Sequence, residues 1–285
     1  MFSRTFLSIC IFSVLLLNRS LTTTQIPVDP GVPVVVNLSP TEYQVNLTKF
    51  TCVIFYNNHA IGSCIIISKH FVVTTCRCLH KIAPGNTEVG WGEFRETLNA
   101  IVMSTSEITN IYRNPDCFKT NTLVNPTADI AVVQTGREIV EGLSVEYASL
   151  PLRNTRHAWC QEAKRSMLLS NFRINHQVAT TLSEAIWIVK TSIVRPRICL
   201  KLLGKDNFDM KDNICASYFH VGSFDRSCQM DYGSVLTRGQ YVCGILAYKV
   251  NCGAAQSVAS FVSIARHVSW IRNIVRDYSR GKEVV

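Results

Sequence analysis

Ile67-Ser68-Lys69-His70-Phe71-Val72-Val73-Thr74-Thr75-Cys76-Arg77-Cys78 holds the most informative pattern in the chain: a β-branched apolar run closing on two cysteines one residue apart. Branching at Cβ stiffens χ1 and suits Val and Thr to a pleated, half-buried strand, so Phe71 to Thr75 is expected to be extended. Runs of the same character recur at Cys52 to Phe55, Ala60 to Ile67, Ile130 to Val133, Ile186 to Val189, Tyr241 to Ala247 and Phe261 to Ile264. Turn-forming residues such as Asn57-Asn58, Pro84-Gly85 and Arg238-Gly239 stand between them, and this cadence is that of sandwiches and barrels. The period changes at Ile264, where Val268, Ile271, Ile274 and Val275 recur at helical spacing before a charged tail from Arg276 to Glu283. The expectation is an all-β molecule with one C-terminal helix, without an internal repeat or a low-complexity tract.

Of the 285 residues, 47% are hydrophobic and 17% charged, which allows a sizeable core and excludes wholesale disorder. Lys+Arg 29 against Asp+Glu 20 gives a net charge of +9 with no block of like charges, so no nucleic-acid partner is expected. Residues 1–20 have the build of a secretory signal peptide: Arg4, then an apolar run from Phe6 to Leu17 too short to span a bilayer, then Asn18-Arg19-Ser20. Cleavage is expected between Ser20 and Thr24. No later apolar run reaches the roughly 18 residues of a membrane span. Residues 21–42 carry four prolines and form an expected extended arm; 43–278 form the folded domain and 279–285 a charged tail.

Twelve cysteines, eleven after loss of Cys10 with the leader, are too many for a reducing cytosol. Cys76-x-Cys78 has no second pair to complete a zinc site, so disulfides and an extracellular location are expected, with no metal. The odd count leaves at least one thiol free, capped, or bonded to another chain. Asn37 and Asn46 each begin a glycosylation sequon, with Pro40 weighing against the first.

Three separated segments resemble the trypsin-like, chymotrypsin-fold serine proteases, whose motifs include TAAHC, DIAL and GDSGGP. They are Ile67 to Cys78, Ala128-Asp129-Ile130-Ala131-Val132-Val133, and Ser227-Cys228-Gln229-Met230-Asp231-Tyr232-Gly233-Ser234-Val235-Leu236. They stand in the family's order, with 52 residues from Arg77 to Asp129 and 103 from Asp129 to Tyr232. Asn213-Ile214-Cys215-Ala216, the Gly244-Ile245 strand, Cys252 and Val268-Ser269-Trp270-Ile271 extend the likeness over residues 43 to 278. The resemblance implies two six-stranded antiparallel barrels with a cleft between them.

Peptide hydrolysis in that family needs a hydroxyl nucleophile, an imidazole that takes and returns its proton, and a buried carboxylate that orients the imidazole. Carried onto this chain, the carboxylate is Asp129, but Arg77 stands at the imidazole position and Tyr232 at the nucleophile position. A guanidinium with a pKa above about 12 cannot accept a proton near neutral pH. The phenol oxygen of Tyr232 would lie several Å from where a serine oxygen belongs, with no base beside it. Met230 replaces the glycine of the oxyanion loop, where a Cβ resists the needed backbone conformation. Gly233 is kept, but Ser234 and Val235 follow it. Arg226 falls at the base of the primary specificity pocket, with Tyr248 and Lys249 on its wall.

The activating cut also lacks a site, because no Lys or Arg lies between Ser20 and Thr48, so Asp231 is expected to pair with another group or to stay in a zymogen-like arrangement. A displaced dyad built from His80 with Ser227 or Ser234 is the competing catalytic arrangement, and His59, His70, His157, His176, His220 and His267 are expected to be structural or surface residues. Arg77 is expected either to pair with Asp129 or to extend into the cleft. The resemblance implies the disulfides Cys199 with Cys215 and Cys228 with Cys252. For the third family bridge the expected partner of Cys78 falls on Gly62; Cys64, two residues on, is expected to bond Cys78 or else Cys76, and Cys160 is paired with Cys243.

The expected function is that of a secreted, non-catalytic serine protease homologue that binds proteases, inhibitors or their substrates, without a cofactor. The odd cysteine offers a disulfide-linked partner. The rivals are an active endopeptidase with displaced catalytic residues and a carbohydrate- or membrane-surface binder drawn by mild positive charge.

Overall fold

A computed structural model describes residues 49–97, 100–118, 124–151, 155–162, 166–172, 186–217, 231–238, 241–250 and 258–281. The expected leader, the arm, the sequons at Asn37 and Asn46, and Cys228, Cys252, Arg226, Ser227 and Met230 lie outside them.

Six strands close the first barrel: β1 (Thr51–Tyr56), β2 (His59–Ser68), β3 (Phe71–Thr74), β4 (Thr87–Thr97), β5 (Ala100–Arg113) and β6 (Ala131–Thr135). Six close the second: β7 (Ser166–Phe172), β8 (Ile186–Ile193), β9 (Asn213–Ser217), β10 (Val235–Arg238), β11 (Tyr241–Val250) and β12 (Val258–Ser263). The rings run β1-β2-β3-β6-β5-β4 and β10-β11-β12-β9-β8-β7, so both halves use one topology, and all pairings are antiparallel. In the second ring β8 meets β9 through Ser192 with Ser217 and Ile193 with Ala216. The two-barrel fold expected from the sequence is present.

The apolar runs are dense because several strands bury both faces. Along β3, Phe71 and Val73 join the core shared by the two barrels, while Val72 points into the first barrel. The same alternation places Ile65 of β2 and Val132 of β6 in the shared core, and Cys64, Ile66, Ala131 and Val133 inside the barrel. Val235, Val242, Ile245, Ala247 and Val262 complete the shared core from the second barrel. A one-residue slip in any of these strands would exchange the two sets, which pins the register. The β1–β2 connection turns on Asn57 (φ 48°) and Asn58 (φ 64°), residues that tolerate the left-handed region a two-residue hairpin requires.

Among the described residues, three α-helices accompany the barrels: α1 (Thr155–Cys160), α2 (Pro196–Leu203) and α3 (Ile264–Ser279). The expected stripe of α3 is buried at Ile264, Val268, Ile271 and Ile274, closing the shared core, and Arg276 and Asp277 fall within its last turns. No helix among the described residues is long and apolar enough to cross a membrane.

Among the described residues, four disulfides join Cys52 to Cys64, Cys76 to Cys117, Cys160 to Cys243 and Cys199 to Cys215. The last two match the expected pairs. The expected bond from Cys64 to Cys78 or Cys76 is corrected: Cys52 and Cys64 are direct cross-strand partners on β1 and β2, with Cα atoms 4.8 Å apart. Cys76 bonds Cys117, and Cys78 is a buried free thiol.

Candidate functional site

Antiparallel pairing of Thr74 with Ala131 sets the end of β3 beside the start of β6. The chain then enters the tight turn Arg77–Leu79 on one side and leaves Asp129 on the other, so residues 52 apart in sequence meet. The Arg77 main-chain N–H donates to Asp129 Oδ1 at 2.8 Å, and Arg77 Nε–H donates to Oδ2 at 3.3 Å. The carboxylate is wholly buried, whereas the arginine side chain keeps 25% of its exposure. Of the two expectations for Arg77, pairing with Asp129 is therefore the one realised. Loss of water around Asp129 raises its pKa to about 6, although the hydrogen bonds and charge of Arg77 pull the other way.

The third position arrives from the second barrel, on the turn before β10. Tyr232 lies with its ring 4.4 Å from the Arg77 guanidinium carbon, and Lys249 Nζ of β11 is 5.8 Å from the same ring centre. The main chain here is fastened to the first barrel: Ser63 N–H donates to Tyr232 O at 3.0 Å. Gly233 has φ +84°, and a Cβ there would come 2.0 Å from Ser63 O, so glycine is required by both conformation and space. Asp129, Arg77 and Tyr232, named from the sequence, are thus brought into one cluster.

Cys78 lies on the floor of this cluster. Thr75 Oγ1–H donates to its sulfur at 3.0 Å, and the sulfur is 3.6 Å from Tyr232 O. Burial pushes this thiol up to about 12, so it is protonated near neutral pH. A Cβ built on Gly62 would stand 2.3 Å from Cys78 Sγ, which makes Gly62 the residue facing the thiol.

Of the expected pocket-wall residues, Tyr248 packs against the cluster of Cys199, Leu203, Phe208, Cys215 and Val258, while Lys249 faces Tyr232. Of the residues named for the competing dyad, His80 meets Phe118 with ring centres 5.1 Å apart and planes tilted by 42°, and buried Ser234 donates to the main-chain oxygen of Asp231 at 2.6 Å. His70 meets Tyr278 edge-on, and His267 Nδ1 lies 3.3 Å from the Asn114 amide. Cys76, Cys117 and Asp129 bring sulfur and oxygen within 4.8 Å of one another, but two of these atoms share a disulfide and the third holds Arg77, which is a poor donor set for a cation.

Twin antiparallel barrels with a buried acid, a residue after β3 and a residue before β10 meeting between them define a chymotrypsin-type domain. The family model described as Trypsin matches residues 39–271, and the chain belongs to that family. It is 21% identical over 235 residues to Trypsin epsilon of Drosophila erecta, covering 82% of this chain and 83% of that protein. Among solved structures it is similar to a scabies mite inactivated protease paralogue (TM-score 0.64, 17% identity, 81% of this chain and 97% of that one). It is also similar to Kallikrein-related peptidase 10 (TM-score 0.62, 18% identity, 81% and 98%). At these identities the structural likeness carries the fold.

Proposed function

We propose that this chain is a secreted, catalytically inert member of the trypsin family, kept as a binding or regulatory protein for proteases, inhibitors or their substrates. The observation that carries the reading is the trio Arg77, Asp129 and Tyr232. The carboxylate that would orient an imidazole is instead satisfied by a permanent cation, and that cation is stacked on the phenol. Such a trio holds charge but contains no proton acceptor next to an alcohol. The reading is supported by the similarity of the fold to that of a scabies mite protein described as an inactivated protease paralogue. Disulfide density and the leader-like residues 1–20 support secretion.

Labelling with a fluorophosphonate probe tests the reading. The purified protein should take no label under conditions that saturate trypsin. Stoichiometric labelling of any serine would instead establish an activated nucleophile and the displaced-residue endopeptidase.

A further inference from the structure

We propose that Arg77, backed by Lys249, receives a side-chain carboxylate from an acidic segment of a partner protein. The proposal rests on the reading of this cleft as a binding surface and names the chemistry it selects. The guanidinium is fixed at two places and unused at a third. Its Nε–H is spent on Asp129 Oδ2 and its flat face on Tyr232. Neither Nη nitrogen has a hydrogen-bond partner among the described residues, which leaves four N–H donors, two of them parallel on the outer edge. Nε is turned toward the wholly buried carboxylate while the side chain as a whole keeps 25% of its exposure, and on this basis the outer edge is assigned to the solvent side.

An arginine pre-set in this way has already lost most of its rotamer freedom, so an arriving ligand does not have to order it. A carboxylate matches the Nη edge with two parallel bonds, and recession from water strengthens both. Asp129 supplies the counter-charge that keeps Arg77 in place, while Lys249 brings a second cation to the same ring. Two cations around one phenol suit one or two acidic side chains; a long sulfated glycan would call for an extended basic track.

Fluorescence anisotropy of the full chain with labelled Gly-Ala-Glu-Glu-Ala-Gly and its Gln-Gln counterpart tests this. The glutamate peptide should bind about tenfold or more tightly than the glutamine one. Arg77→Lys keeps a counter-charge for Asp129 but loses the fork, and Lys249→Gln leaves Asp129 untouched; each should erase most of the preference. Equal binding of the two peptides, no binding of either, or a preference intact in both variants would overturn the proposal. Tighter binding of a heparin hexasaccharide that is equally sensitive to Arg77→Lys would overturn the peptide assignment in favour of a sulfated glycan. None of these results bears on fluorophosphonate labelling, so failure here is separable from failure of the inert reading.

Discussion

Asp129 is a wholly buried carboxylate beside one cation, and these two influences act on its proton affinity in opposite directions. Its folded pKa, about 6 against an ordinary 3.8, shows burial outweighing the Arg77 pair. A carboxyl raised in this sense contributes stability that is fully present below pH 3.8 and lost as pH rises through about 6. Urea unfolding of the wild type and Asp129→Asn, compared at several pH values, should show the wild type gaining on the variant as pH falls through that window. A gap that widens with rising pH would mean Arg77 holds the carboxyl below its ordinary value, and a flat gap would mean the two influences cancel. Cys78 gives a second test. Gly62→Cys adds a thiol facing it, yet the number of titratable thiols under denaturing conditions should fall by one. The new bridge closes a loop of 16 residues and should stabilise by about 3 kcal/mol in urea. A thiol count that rises by one would show the two side chains do not meet.

Among the elements, the tie between β2 and the turn before β10 decides whether the site exists. Ser63 N–H bonds Tyr232 O, Thr74 Oγ1–H donates to Ser63 O at 2.7 Å, and Gly233 passes over that carbonyl at φ +84°. Gly233→Ala combines a forbidden backbone region with a collision against main chain. It should cost roughly 2 kcal/mol or more in denaturant unfolding and loosen the Arg77–Tyr232 stack. A loss within about 0.5 kcal/mol, the range of an ordinary surface change, would show the turn can relax away from Ser63. Element by element, the sequence was most readable where β3 and β6 bury both faces and where α3 carries a single apolar stripe, patterns that leave little choice. It was less readable in β5, where Ser104, Glu107 and Thr109 face solvent and hide a strand paired on both sides. Disulfide pairing was legible where the family's spacing applied, at Cys199 with Cys215. It failed at Cys64, because Gly62 removes the usual partner of Cys78 and only the register of β1 against β2 brings Cys52 to Cys64.

Taken whole, the molecule has two closed barrels packed on a shared core, with four disulfides among the described residues. Asp129, Arg77 and Tyr232 could be picked from three motifs in order, but no spacing announces that the arginine stacks on the tyrosine or leaves its outer edge unused. That information lies in how the barrels abut. The most direct test of inertness is turnover. Purified full-length protein, and a form trimmed to residue 43 onward, should release no product above buffer from casein or from a library of small amide substrates over days. Steady hydrolysis that disappears in Asp129→Asn would contradict the account, because it would place a working proton relay on the very carboxylate that Arg77 occupies.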